Sequence, residues 1–230
     1  MKTIAVAGGL LAAALVLTGC GLEGLGGSSN QDTVSYEVKD KVSKLRVKSD
    51  NGDVVITETD GPAVRVVETL RWRNDDKPKP QHKVETDALF VTYDCPSNWG
   101  SCSVDYKIEI PKGVAVDLDM DSGDATLRAL SGQLDARVSS GDLDGSGMTG
   151  KKVHATNDSG NIELKYTSPP DSVELDCDSG DVVLRVPTGS YDVRTDVGSG
   201  DATVSVKSDP ASPRKISLSA DSGDVTLSAG

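Results

Sequence analysis

Aromatic residues are scarce in this chain of 230 residues, where one Phe, two Trp and five Tyr make up 3% of the sequence. So few rings are unfavourable for a sugar-stacking groove or for a large globular core. Histidine is scarcer still, because His82 and His154 are the only two, and neither has a recognisable nucleophile partner. The recurring Ser-Gly-Asp tripeptide also lacks the Gly-x-Ser-x-Gly pattern of a nucleophile elbow. We therefore expect a protein that acts without catalysis and needs no cofactor.

Positive charge is also in deficit, with 24 Lys and Arg against 36 Asp and Glu, for a formal net charge of −12. Such a surface repels nucleic acid and anionic lipid headgroups, so no nucleic-acid partner is expected. Long apolar runs are absent apart from residues 3–16, which are too few to span a bilayer stably. This run follows Lys2 and has the composition of an export signal.

The apolar run ends in Leu17-Thr18-Gly19-Cys20, which resembles a bacterial lipoprotein signal. That resemblance implies cleavage before Cys20 and acylation of its new N-terminus; an ordinary secretory peptide is the alternative. Several acyl chains hold a protein at a membrane almost permanently. We expect residues 1–19 to be the signal peptide and residues 20–31 to be a lipidated, flexible tether. The folded part would then lie on the outer face of the cell membrane.

The remaining three cysteines have two predicted roles. Cys95 and Cys102 flank a turn-rich loop between two strand-like runs, and outside the cytoplasm this spacing favours a disulfide across a hairpin. A metal site is the alternative, but no second Cys or His pair lies nearby in the sequence. Cys177 falls in an apolar column of the repeats described next, and it is interpreted as a small buried hydrophobe.

One short phrase, typically Asp-Ser-Gly-Asp, occurs seven times, and its last six glycines are separated by 18, 19, 20, 20 and 23 residues. A fixed period near 20 is typical of a solenoid, whose coils bury their apolar faces on one another. Glycine tolerates positive φ, and the flanking Asp, Ser and Asn can bond their own backbone, so each phrase is predicted to be a corner between strands. The corner glycines are Gly52, Gly123, Gly141, Gly160, Gly180, Gly200 and Gly223.

When the repeats are aligned on that glycine, apolar residues stand seven, five and three positions before it and two and four after it. This period of two predicts two short strands per coil, each with one face inward. Asn157 is a polar exception, and Cys177 stands between Asn157 and Val197 in the same column. The fold class is therefore predicted to be all-β, a β-solenoid of about 20 residues per coil with two parallel sheets.

Residues 32–111 are less regular than residues 112–230. The first repeat lies within them, together with strand-like runs at 64–72, 89–93 and 104–110 and a Pro-rich exposed loop at 74–83. We expect residues 32–111 to form an N-terminal β cap and residues 112–230 to form the solenoid repeats. The chain stops three residues after Leu227, so the last coil is predicted to be bare and open to self-association through this C-terminal edge.

The aspartate after each glycine invites a second interpretation. Stacked coils would place these carboxylates about 4.8 Å apart, and Ca²⁺ takes six to eight oxygen ligands. The candidate Ca²⁺ ligands are Asp124, Asp142, Asp181, Asp201 and Asp224. The structural interpretation, in which each carboxylate bonds backbone groups of its corner, is preferred. A polysaccharide-active enzyme built on the same carboxylates is a further alternative.

The run Ile108-Glu109-Ile110-Pro111-Lys112-Gly113-Val114, followed by the Ser-Gly-Asp repeats, resembles a bacterial "putative adhesin" domain family of unknown function. Residues 184–191 echo the same strand-Pro-x-Gly-strand pattern, and the lipoprotein signal resembles members from high-GC Gram-positive bacteria. The resemblance implies a cell-surface β-solenoid with an adhesin-like binding or scaffolding role. Its partner would be cell-wall polymer or another surface protein, and the family brings no catalytic residues.

Overall fold

The computed structural model describes residues 29–96 and 102–230, and these residues form twenty β-strands and no helix. The strands are β1 (Ser29–Val38), β2 (Lys44–Ser49), β3 (Val54–Thr59), β4 (Val64–Arg73), β5 (Lys79–Glu85), β6 (Ala88–Asp94), β7 (Cys102–Pro111), β8 (Ala115–Ser122), β9 (Ala125–Arg128), β10 (Leu134–Ser140), β11 (Leu143–Met148), β12 (Lys152–Ser159), β13 (Ile162–Tyr166), β14 (Ser172–Ser179), β15 (Val182–Val186), β16 (Ser190–Ser199), β17 (Ala202–Val204), β18 (Lys207–Ser208), β19 (Lys215–Ser222) and β20 (Val225–Ala229).

The strands lie in two sheets of ten. One has the order β1-β4-β7-β3-β9-β11-β13-β15-β20-β17, and the other has the order β18-β16-β19-β14-β12-β10-β8-β2-β6-β5. Within the repeats every neighbouring pair is parallel. One buried apolar cluster fills the space between the sheets along their length. The predicted all-β solenoid with two mostly parallel sheets is confirmed.

Each coil places its predicted columns in register with its neighbours. Leu134 in β10, for example, pairs with Val116 in β8 and with Val153 in β12. Burial alternates along the strands with the period of two that the sequence shows, as in β13, where Ile162, Leu164 and Tyr166 are buried. Since side chains in a strand point alternately to opposite faces, this register makes each apolar column continuous through the core.

One end of the solenoid is closed by antiparallel strands, and it is called the closed end below. The β6–β7 coil covers the first repeat, after which β4 and β1 extend one sheet and β5 extends the other. The predicted exposed loop at 74–83 is partly wrong, because β5 begins at Lys79. Pro80 is tolerated there since β5 is an edge strand and needs no N–H on its outer side. The predicted tether at 20–31 is also too long, because β1 begins at Ser29.

The last coils do not stack in sequence order, which corrects the prediction of a bare final coil. β19 pairs with β14 on one side and β16 on the other, and β20 lies between β15 and β17. In the stacking order, the coil made by residues 215–229 therefore lies between the coil made by residues 172–186 and the coil made by residues 190–204. Cys177 accordingly pairs with Ala220 rather than with Val197.

The composition of the two coils explains this order. The inner coil contributes Ile216, Leu218 and Leu227, each at most 1% exposed. At two of the matching positions the outer coil has Thr195 and Val204, both exposed. Burying the more apolar coil on both sides removes more apolar surface from water, which favours the inserted arrangement.

Candidate binding surfaces

The corner aspartates form a continuous hydrogen-bonded ladder along one side of the solenoid. The backbone N–H of Asp124 donates to Oδ1 of Asp53 at 3.0 Å, and the N–H of Asp142 donates to Oδ1 of Asp124 at 2.9 Å. The same bond, at 2.8–3.2 Å, recurs at every step between neighbouring coils. From the closed end the ladder reads Asp105, Asp53, Asp124, Asp142, Asn161, Asp181, Asp224 and Asp201. Each side chain before the last thus satisfies a backbone donor of the next coil.

Asn161 shows that the ladder needs an acceptor oxygen rather than a negative charge. Its N–H and its Nδ2 both donate to Oδ1 of Asp142, at 2.8 and 3.2 Å. Its own Oδ1 accepts the N–H of Asp181 at 2.9 Å. An asparagine therefore fills the same position without breaking the ladder.

The Ca²⁺ interpretation gains no support from this geometry. In the described ranges, no group of three or more His, Cys, Asp or Glu side chains is arranged to hold a metal ion. The candidate ligands Asp124, Asp142, Asp181 and Asp224 each already use Oδ1 for a backbone N–H. Asp201 ends the ladder, and no hydrogen bond to its carboxylate is present within 29–96 and 102–230.

All seven corner glycines have positive φ, between 116° and 143°. They also pack backbone on backbone, since a Cβ on Gly141 would lie 2.1 Å from the carbonyl oxygen of Gly123. The N–H of Gly141 in turn donates to the carbonyl of Ser159 in the next coil. Glycine is required by both the turn and the close approach.

Asn157 and Cys177, the two unusual inward residues, have structural roles. Nδ2 of Asn157 donates to the carbonyl oxygens of Gly141 at 2.9 Å and of Asn161 at 3.3 Å, which fixes the corner from inside the core. Cys177 is fully buried, and desolvation raises the pKa of its thiol. A buried thiol of this kind is inert as a nucleophile.

A disulfide joins Cys95 to Cys102, with Cα atoms 6.0 Å apart, as the spacing predicts. It connects β6 to β7, so it links the two sheets within one coil. The same coil is held by Tyr93, whose hydroxyl accepts the N–H of Asn51 at 2.6 Å and donates to the carbonyl of Asn51 at 2.7 Å. The irregular coil is thereby fixed to the corner of the first repeat.

The interior near the closed end contains a polar cluster that the sequence does not reveal. Glu68 is 1% exposed and accepts a hydrogen bond from the hydroxyl of Tyr36 at 3.0 Å. Desolvation raises the pKa of Glu68 to about 7, against the opposing effect of the Tyr36 hydrogen bond. Tyr106 pairs with Glu68 across the strands, and its buried hydroxyl has no hydrogen-bond partner in the described residues. The only sequence signal is a Glu at an inward position of an apolar strand.

The two histidines lie far from each other in the fold. His82 belongs to β5 and stacks on Tyr36, with ring centroids 3.9 Å apart, and desolvation lowers its pKa. His154 lies on the outward face of β12, where Nδ1 is 3.5 Å from a carboxylate oxygen of Glu174. Within residues 29–96 and 102–230, no hydrogen bond joins either histidine to a Ser, Thr or Cys side chain.

The opposite end, formed by residues 190–208, is called the open end. Here the three-residue β17 is the edge of one sheet, and in the other sheet the two-residue β18 is the one described strand beyond the long strand β16. The inward side chains at this end are incompletely covered, because Val193 and Val197 of β16 and Val206 after β17 are partly buried, and Val204 of β17 is 39% exposed. The feature of the sequence that indicates this incompletely covered coil is Thr195, a polar residue in an otherwise apolar column.

The outward face beside the open end is shallow. A depression of about 210 Å³ lies over β19, where the short side chain of Ser217 separates Glu174 from Arg194. Pockets that enclose small ligands are about 300–1,000 Å³. This face is therefore better suited to an extended partner than to an enclosed small molecule.

The proposed lipidation residue, Cys20, lies outside the described residues, as does the whole predicted signal peptide at 1–19. Among the residues that are described, no helix is long and apolar enough to cross a bilayer.

Comparison with known proteins identifies the family of this chain. No curated protein sequence matches it. A crystal structure from Clostridium sporogenes, described as a putative cell adhesion protein, aligns with a TM-score of 0.47 at 10% identity, covering 89% of this chain and 100% of the other. One from Bacteroides fragilis, described as a putative adhesin, aligns with a TM-score of 0.46 at 19% identity, covering 90% and 100%. The model of the Toastrack DUF4097 family matches residues 26–228. The chain belongs to the Toastrack DUF4097 family.

Proposed function

We propose that this protein is a lipoprotein anchored through Cys20 to the outer face of the cell membrane, where it binds a surface partner without catalysis. The observation that carries the proposal is the short distance in sequence between the lipoprotein-like signal and the closed end. Ser29, the first residue of β1, follows Cys20 by only nine residues. Such a tether holds the closed end within roughly 30 Å of the membrane.

The shape of the solenoid supports a role in presentation. β1 and β17 are the two edges of a ten-stranded sheet, and strand spacings of about 4.8 Å make that sheet roughly 40 Å wide. An anchor at the closed end would leave the two outward faces and the open end accessible to partners. The Cys95–Cys102 disulfide supports an oxidising compartment outside the cytoplasm.

The outward faces support an adhesin-like role toward cell-wall polymer or another surface protein. They carry mixed charges, such as Lys44 and Arg46, whose side-chain nitrogens lie 2.8 and 3.4 Å from Asp117. Polar faces that run across several coils suit an extended partner that contacts more than one coil at once. The net charge of −12 favours a partner that is neutral or basic.

Replacing Cys20 with Ala tests the anchor directly. We expect the Cys20→Ala chain to leave the membrane fraction, while a Cys177→Ala chain stays with the membrane because Cys177 is buried in the core. A Cys20→Ala chain that remains membrane-bound after a high-salt wash would contradict lipid anchoring.

The binding role is tested separately. The released Cys20→Ala chain serves as bait for envelope extracts and isolated cell wall, and the chain denatured by heat serves as the control. Retention of wall polymer or of a defined surface protein by the folded chain alone is expected. Equal retention by both samples would contradict a binding role and leave the anchor result unaffected.

A further inference from the structure

The open end has unused backbone hydrogen-bonding groups next to uncovered apolar side chains. The N–H of Asp192 donates to the carbonyl of Arg214 on the β19 side, whereas the carbonyl of Tyr191 accepts from Asp209 on the outer side. Successive residues of a strand direct their backbone groups to opposite sides. Val193, Thr195 and Val197 therefore direct theirs outward, where no strand of the described chain pairs with them.

The sequence of this edge is complementary to itself when it is paired antiparallel. Residues 193–197 read Val-Arg-Thr-Asp-Val. With Thr195 opposite its own copy, Val193 faces Val197 of the second chain and Arg194 faces Asp196. Aliphatic pairs, opposite charges and Thr–Thr pairs are all favourable cross-strand combinations.

The charges needed for this pairing are free in the single chain. Neither Arg194 nor Asp196 has an ion-pair partner within residues 29–96 and 102–230. Both are exposed. On the other sheet, in contrast, Arg185 of β15 is already paired with Glu163 of β13.

We propose that a second copy of this chain docks on the open end, with β16 of each copy pairing antiparallel about a two-fold axis at Thr195. The two cores then become continuous, because Val193 and Val197 of each copy cover those of the other. This interface is isologous, so it closes as a dimer and does not propagate into a fibre. The proposal does not depend on the proposed surface-binding function.

Charge complementarity also selects the register. A shift that places Arg194 opposite its own copy keeps the backbone alternation but sets arginine against arginine and Asp192 against Asp196. β18 already pairs with Ser190 and Tyr191, so the two copies pair over residues 192–198 only, and a further shift toward Tyr191 is obstructed. The register centred on Thr195 is the one that satisfies both charge and backbone.

A second copy fits the open end better than the N-terminal segment of the same chain does. Residues 1–28 precede β1, which lies at the closed end. After cleavage before Cys20, as proposed above, an extended tether would reach about 30 Å, less than the roughly 40 Å that separates the two ends.

Cysteine cross-linking of the full chain in its membrane tests the interface. Residues opposite each other in a hydrogen-bonded antiparallel pair have Cα atoms about 5.5 Å apart, within the range that a disulfide spans. We expect a Thr195→Cys chain to form a cross-linked dimer under mild oxidation. The matched control is Ser217→Cys. Ser217 is exposed but lies one coil further from the open end, so this variant is not expected to cross-link. A Thr195→Cys yield no higher than that of Ser217→Cys, or a cross-link to a different protein, would overturn the proposal.

Charge reversal in the Thr195→Cys chain tests the register. Arg194→Asp or Asp196→Arg alone places like charges opposite each other at two symmetric positions, and we expect roughly tenfold weaker association. The double variant Arg194→Asp with Asp196→Arg restores the opposite charges and should restore the cross-linking yield. The same yield for all four chains would refute this register. Thermal melting of each variant checks that the fold is unchanged.

Discussion

At the scale of the residue, the repeated polar side chains of this protein stabilise its backbone. Every corner aspartate before the final Asp201 accepts a backbone N–H of the next coil at its Oδ1, as Asp142 does from Asn161, and the corner glycines make the close backbone approach possible. The row of carboxylates that resembles a metal site in the sequence is thus explained by hydrogen bonding between coils. The buried Glu68 at the closed end differs from these corner carboxylates, because desolvation raises its pKa to about 7.

The ladder predicts that the acceptor oxygen matters more than the charge. Asp142→Ala leaves the N–H of Asn161 without its side-chain acceptor and should cost about 1 kcal/mol of unfolding free energy. Asp142→Asn keeps the oxygen and should stay within about 0.5 kcal/mol of the parent, as should the control Asp158→Ala at an exposed position. Urea denaturation measures all three. If the Asn variant were as unstable as the Ala variant, the charge would be needed, and a cation site would be favoured again.

Glu68 predicts a pH dependence of stability. Its pKa rises from 4.5 in the unfolded chain to about 7 in the folded protein, so the folded state holds the proton more tightly. The loss of unfolding free energy caused by ionising Glu68 is absent below pH 4.5, grows as the pH rises and is complete above pH 7. We expect Glu68→Gln to be more stable than the parent by roughly 1–3 kcal/mol at pH 8, with the difference shrinking toward pH 4.5.

Denaturation at several pH values measures this difference, and Glu85→Gln on the exposed face of β5 is the control. A stability difference between the parent and Glu68→Gln that does not change between pH 4.5 and pH 8 would show that Glu68 does not titrate in this range.

At the scale of the element, the unit is a coil of two strands and a corner, and its stability depends on how its ends are joined. Regular coils use the glycine phrase, whereas the β6–β7 coil uses a longer connection closed by Cys95 and Cys102. This coil lies between the first repeat and the antiparallel strands of the closed end, so its loss would expose the core to solvent.

The disulfide is expected to stabilise that coil mainly by restricting the unfolded chain. A closed loop of eight residues corresponds to roughly 2.5 kcal/mol in the chain-entropy model. We expect Cys95→Ser with Cys102→Ser to lower the unfolding free energy by about that amount, as measured by urea denaturation. Reducing agent should destabilise the parent to the same level and leave the double variant unchanged; a further loss in that variant would contradict this assignment.

At the scale of the whole molecule, the defining feature is the insertion of the final coil. The coil of residues 215–229 is stacked one position further from the open end than the coil of residues 190–204. The coil that is last in the sequence is therefore not the last coil of the solenoid. The open end is instead made by the less apolar coil, whose Val204 remains exposed. This arrangement determines which edge is available to a second copy.

Engineered disulfides distinguish the inserted order from stacking in sequence order. Glu174 and Ser217 are direct partners, and Ser217 is also the direct partner of Arg194. We expect Glu174→Cys with Ser217→Cys to form an intramolecular disulfide, since parallel partners lie about 4.8 Å apart. In the chain with Glu174→Cys and Arg194→Cys, the two cysteines lie two strands apart and should not form a disulfide. Mass spectrometry under non-reducing conditions reads out both pairs, and the opposite result would require stacking in sequence order.

The sequence by itself determined the coil. Its period of two, its glycine phrase and the polar residues around it are local signals, because strand faces and corners depend on neighbouring residues along the chain. The columns predict the inward side chains, and the spacing of Cys95 and Cys102 predicts their disulfide.

Only the tertiary structure decided which coils are neighbours. Every coil carries nearly the same pattern, so pairing residues 173–177 with 193–197 or with 216–220 satisfies the local rules equally well, and the choice depends on the total apolar area buried. The strand at 79–85 and the Tyr36–Glu68 contact likewise depend on residues distant in sequence. The open end therefore lies at residues 190–208, and not at the C-terminus, because burial of the more apolar final coil is favoured over stacking in chain order.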